Sequence, residues 1–195
     1  MSDLKLYMLL LGCTPKGRHT EQHDIFFGIG TGLKELIPAM HEFWPEAQGK
    51  LHIDAWREVT KVNNHDIRVI PKDPAAAATV SPKLFFLNLG GYKENEFEEF
   101  HYKMLVVSSS LDDAKAQAKK TAFFKHTSLK SSSTSLVATS HIDDKYGIDV
   151  DDVYRVEDIL PQTIKNTYSL QVTPSATPGE DAVYLGYLKL ADITK

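Results

Sequence analysis

The apolar positions fall into two runs that begin alike. Leu6-Tyr7-Met8-Leu9-Leu10-Leu11 is unbroken and stops at Gly12, the pattern of a strand covered on both faces. Pro15 and Gly17 punctuate the loop that follows. Residues 23–29, rich in Ile and Phe, predict a second strand ending in Gly28-Ile29-Gly30-Thr31-Gly32. From Leu33 the period lengthens: Leu33, Leu36, Ile37, Met40 and Phe43 or Trp44 recur on one helical face. Pro38 is expected to kink that helix or limit its length. Residues 51–62 alternate loosely, and Ile67-Arg68-Val69-Ile70-Pro71 after Asn63-Asn64 predicts a hairpin.

Residues 72–83, with Pro74, four alanines and Pro82, read as a linker. The first pattern then begins again. Leu84-Phe85-Phe86-Leu87-Asn88-Leu89-Gly90 repeats the opening strand at the offset that takes Gly12 to Gly90. The same offset lays Glu99 on Glu21, His101 on His23, and Leu111 on Leu33. His52-Ile53-Asp54 recurs as His141-Ile142-Asp143, its greater spacing absorbed by the Ser-rich residues 128–140. Ser110-Leu111-Asp112-Asp113 has the form of a capping box and opens an alanine-rich helix expected to reach about Phe124. Val153-Tyr154-Arg155-Val156 predicts a strand with residues 168–172 as its partner; residues 174–180 form a turn and 183–190 a closing strand. The expected fold is α+β: an internally duplicated strand-strand-helix-hairpin repeat, with helices packed on a mixed or antiparallel sheet. The repeats are placed at 1–71 and 84–173, the linker at 72–83, and the closing turn and strand at 174–195.

Composition adds mainly exclusions. The chain has 195 residues, 42% hydrophobic and 25% charged, with a formal net charge of -4, so no basic field favours nucleic acid. Nothing approaches the twenty or so apolar residues of a membrane span. Residues 4–11, short and interrupted by Lys5, read as a strand rather than a signal peptide. Cys13 is the single cysteine, which rules out an intrachain disulfide and suits a cytoplasmic location. A small packed side chain is favoured over a reactive thiol there.

The candidate chemistry lies in the repeated Glu-x-His. Residues two apart on a strand share a face, so Glu21 can orient His23 and Glu99 can orient His101, as for a general base. Tying down a loop is the architectural alternative. If the halves pack about a pseudo-two-fold axis, both pairs would line one groove. His19 and His23 stand four apart, but Pro15 and Gly17 argue for a loop rather than the helix a zinc pair needs, and no metal is expected. His52 and His141, each two before an Asp, are assigned solvated or capping roles. The glycine run is not the dinucleotide fingerprint, although a helix start can hold an anion. Trp56 is a candidate for a binding surface. Asp143, Asp144, Asp149, Asp151 and Asp152 lack EF-hand spacing and read as a solvated acidic segment.

Leu9-Leu10-Leu11-Gly12, Glu21-Gln22-His23-Asp24, Phe26-Phe27-Gly28-Ile29-Gly30 and His52-Ile53-Asp54-Ala55-Trp56 together resemble the bacterial domain-of-unknown-function family 1543. The resemblance covers most of residues 4–70 and, more loosely, 84–160. It implies tandem copies and brings no reaction, substrate or cofactor. The expected function is a non-catalytic module that binds a small molecule or protein partner in a groove between the repeats, through Glu21, His23, Glu99, His101 and Trp56. The alternative is a hydrolase with His23 as general base oriented by Glu21, with or without assistance from a metal.

Overall fold

The computed structural model describes residues 3–73, 82–92, 96–120, 148–177 and 179–193. In chain order come β1 (Lys5–Cys13), β2 (Gln22–Gly30), α1 (Leu33–Phe43), a 3-10 turn (Pro45–Ala47), β3 (His52–Val59), β4 (Lys61–Val62) and β5 (His65–Pro71). Then follow β6 (Lys83–Tyr92), β7 (Glu99–Ser108), α2 (Leu111–Ala118) and β8 (Ile148–Arg155). The last elements are α3 (Val156–Ile159), α4 (Gln162–Thr167), β9 (Tyr168–Pro174), β10 (Tyr184–Lys189) and α5 (Leu190–Ile193). The fold is α+β, and its strand pairs are antiparallel. Among the described residues no helix is long and apolar enough to cross a membrane. The chain divides into two compact units, Met1–Ala78 with Glu157–Lys195, and Thr79–Val156.

In the first unit the sheet order is β10-β3-β1-β2. The apolar run of β1 is central, and alternate residues Tyr7, Leu9, Leu11 and Cys13 join Phe26, Ile53 and the α1 residues Leu36 and Met40 in one core. Their burial explains the helical period seen from Leu33. Pro38 sits inside α1 without ending it. Gly28 faces this helix: a Cβ there would lie 2.9 Å from both Leu36 Cδ2 and Phe26 Cε1. The glycine run thus serves close helix–sheet packing. The Thr31 amide donates to Glu35 Oε2 at 2.8 Å, so the carboxylate that uses this amide belongs to the chain itself. That bond is the chief cause of a lowered Glu35 pKa.

The Asn63-Asn64 turn forms as expected, both residues having positive φ, and joins β4 to β5. The strand before it does not extend the hairpin, because β3 lies between β1 and β10 in the larger sheet. Residues 168–172 were expected against 153–156. Instead β9 pairs with β5, setting buried Val172 opposite buried Ile67, while Val153, Tyr154 and Arg155 are taken by β6. Asp181 fixes the approach to β10: its Oδ2 accepts from the Thr60 and Lys61 amides at 2.7 and 2.8 Å, and its Oδ1 from the Thr60 hydroxyl.

The second unit has the order β7-β6-β8. Phe85, Leu87, Leu89 and Val106 pack with Ala114 and Ala118 of α2. Half of the capping box forms: the Ser110 hydroxyl accepts from the Asp113 amide at 3.1 Å, while the Ser110 amide donates to Ser108 Oγ and Asp113 Oδ2 accepts from the Ser108 hydroxyl. The helix runs Leu111–Ala118, short of Phe124, which lies outside the described residues.

Candidate functional site

The site grows from a missing side chain. Gly12, on β1, is paired with His23 of β2 on one side and His52 of β3 on the other. Leu11 and Ile53 occupy the core face, so alternation puts both histidines on the face turned away from α1. A bulge then breaks the register: Leu11 pairs with Ile53 and Leu10 with Ala55, leaving Asp54 unpaired. His52 and Asp54 lie over the glycine. A Cβ at position 12 would stand 2.5 Å from both His52 Nε2 and Asp54 Oδ2.

Glu21, just before β2, completes a ring in which imidazoles and carboxylates alternate. His23 Nε2 lies 3.6 Å from Glu21 Oε2 and 3.2 Å from Asp54 Oδ2. His52 Nε2 lies 3.1 Å from Glu21 Oε1 and 3.2 Å from Asp54 Oδ2. The His52 side chain is 6% exposed, and the Tyr187 ring lies across it at a tilt of 35°, with centroids 4.4 Å apart. Despite these short approaches, His52 Nε2 and Asp54 Oδ2 are buried and make no hydrogen bond. Proximity without alignment leaves their polar demand unmet.

His23 and Glu21 are more open, at 40% and 44% side-chain exposure. His23 also lines a cleft of about 660 Å³ with Lys16, Arg18, Gln22, Asp24, Trp44 and Glu46 among its walls. The ring is therefore reached from solvent through His23. It offers two nitrogen bases and two acids in one place, suited to holding a cation, orienting a polar ligand or moving a proton.

The second unit repeats the arrangement with fewer bases. Gly90 pairs with His101 of β7 and Asp149 of β8. The register again slips by one residue, between Asn88–Asp152 and Leu89–Val150, so that the β6–β8 register passes over Asp151. His101 Nε2 is 3.9 Å from Glu99 Oε2 and 3.4 Å from Asp151 Oδ2, and one donor atom from each of the three lies within 4.8 Å of the others. In register, Asp149 stands where the first unit has His52. His141 and Asp143, matched to His52 and Asp54 in the sequence, lie outside the described residues.

The Glu-x-His pairs thus gather further groups, and Trp56 goes elsewhere. It stacks on Tyr184 at 4.1 Å and packs against the first core. His19 is exposed in the loop before β2. Cys13 is buried; burial first, then the Glu21 and Glu46 charges, pushes its thiol pKa up. Sequence reasoning missed His52, Asp54 and Asp151. The available signal was that Glu-x-His and His-x-Asp flank one central strand at the same glycine.

Residues 18–69 match the family described as Domain of Unknown Function (DUF1543), and that segment contains Glu21, His23, His52 and Asp54. The crystal structure of the protein Il1583 from Idiomarina loihiensis is similar in fold, with a TM-score of 0.62 and 24% identity over 96% of this chain and 98% of that one. No curated protein matches the chain.

Proposed function

We propose that the chain is an internally duplicated binding module whose working site lies in the first unit, with a small polar molecule received in the cleft beside the Glu21–His23–His52–Asp54 ring. One observation carries this reading: His23 belongs both to the ring and to the cleft wall. The ammonium of Lys16, the guanidinium of Arg18 and the flat Trp44 in the same wall suit a ligand with a carboxylate or phosphate and a planar part. The duplication is supported by the shared placement of Gly12 and Gly90 in their sheets and by the bulge beside each. In the second unit Asp149 stands at the position of a histidine, which favours the first unit as the working copy.

A ligand-observed NMR screen of small aromatic carboxylates and phosphates tests the reading. Arg18→Ala and His23→Ala should each weaken a hit at least tenfold, and His101→Ala should leave it unchanged. Hits indifferent to both cleft substitutions would refute it.

The position of His23 favours a second reading, a hydrolase. Its Nε2 has carboxylates at 3.2 and 3.6 Å and the residue lines the cleft, the arrangement of a general base held by acids. Turnover of ester or phosphoester substrates that disappears in His23→Ala would support it. Turnover equal in the folded variant and the native protein would refute it.

A further inference from the structure

We infer that the ring in the first unit is a site for one divalent transition-metal ion, held by Nε2 of His23, Nε2 of His52 and the carboxylates of Glu21 and Asp54. The inference stands whether or not the neighbouring cleft takes an organic ligand.

Spacing is the first argument. Four donors held about 2.1 Å from an ion at tetrahedral angles stand about 3.4 Å apart. The four imidazole–carboxylate separations run from 3.1 to 3.6 Å; the distances across the ring are longer, since no three of its residues bring one donor each within 4.8 Å of one another, and the side chains must draw inward to enclose an ion. Glu21 presents one oxygen to each imidazole, and Asp54 presents a single oxygen to both.

The second argument is the buried nitrogen. A histidine placed there only to satisfy carboxylates would aim its N–H at one of them. His52 Nε2 has oxygens at 3.1 and 3.2 Å and forms a hydrogen bond to neither. Asp54 Oδ2, also buried, is unsatisfied too. Such groups cost free energy unless something joins them. A cation between them would accept the imidazole lone pair and the carboxylate charge together.

Charge and chemistry agree. Two carboxylates balance a divalent ion, and neutral imidazoles add none, so the loaded site is neutral where it is most buried. Mixed nitrogen and oxygen donors favour zinc or a neighbouring first-row ion over calcium or magnesium, which prefer oxygen throughout. Gly12 provides the room, since any side chain there would overlap His52 Nε2 and Asp54 Oδ2. Tyr187, whose tilted ring lies 4.4 Å from that of His52, limits how far the imidazole can move.

The test uses the full chain after chelator treatment, titrated calorimetrically with zinc chloride alone and read independently by cobalt(II) visible absorption. The native protein should bind one zinc tightly and give the intense bands of a tetrahedral cobalt site. His23→Ala and Asp54→Asn should each weaken zinc at least tenfold and bleach the cobalt bands, while His101→Ala should do neither. His23 is partly exposed and Asp54→Asn is nearly isosteric, so both variants are expected to fold; circular dichroism checks this. Absence of saturable zinc binding overturns the inference. So does tight binding that survives both substitutions, or that is lost with His101→Ala instead. The cleft reading fails separately, through ligands indifferent to Arg18→Ala.

Discussion

At the scale of single residues, the site depends on what position 12 lacks. Gly12→Ala places a methyl group 2.5 Å from a ring nitrogen and a carboxylate oxygen, so both side chains must move. Overpacking of this kind costs about 1–3 kcal/mol, measurable by urea denaturation, and metal or ligand binding should fall with it. Binding retained in Gly12→Ala would mean that His52 and Asp54 are not held over the glycine. Cys13, one position on, points into the core. With its thiol buried and its pKa raised, alkylation by iodoacetamide at pH 7.5 should be far slower than in the unfolded chain. Equal rates in native and denatured protein would contradict this packing.

At the scale of elements, the first turn of α1 carries a pH dependence of known sign. Glu35 accepts the Thr31 amide, and its pKa lies below the ordinary carboxyl value of 4.5. A carboxylate whose pKa is lowered by folding contributes stability above its unfolded pKa and loses it as pH falls through the folded one. The native protein should therefore lose stability below pH 4.5 by a component that Glu35→Gln lacks, read from thermal melts at pH 3 to 6. Identical pH profiles would remove Glu35 from this role. The corner between β3 and β4 is held by one carboxylate serving two amides and a hydroxyl. Asp181→Ala strands those donors and should cost about 3 kcal/mol in urea denaturation. A cost under about 0.5 kcal/mol would show the corner to be held by other contacts.

At the scale of the whole molecule, local patterns were legible and long-range partners were not. The run 6–11, the helix from Leu33, the Asn63-Asn64 turn and the Ser110 cap follow from periodicity and turn chemistry within a few residues. The partner of residues 168–172 was misjudged because any apolar strand can cover another, and only burial of Val172 against Ile67 selects β5. Half the site was readable as Glu21-x-His23. His52 and Asp54 were seen yet assigned to solvent, because their meeting with His23 depends on two separate strands joining β1 at one glycine and on a bulge that no residue type announces. In the second unit the register brings Asp149 opposite Gly90, where sequence matching had chosen His141.

The central claim is that Glu21, His23, His52 and Asp54 act as one site. It is tested most directly by long-range proton–nitrogen NMR of the imidazoles in the chelator-treated protein, before and after one equivalent of zinc. Of the eight histidines, only His23 and His52 should change, together and in proportion, with the large Nε2 shift of a metal-bound ring. A shift of His23 without His52, or a primary response at His101, would contradict it.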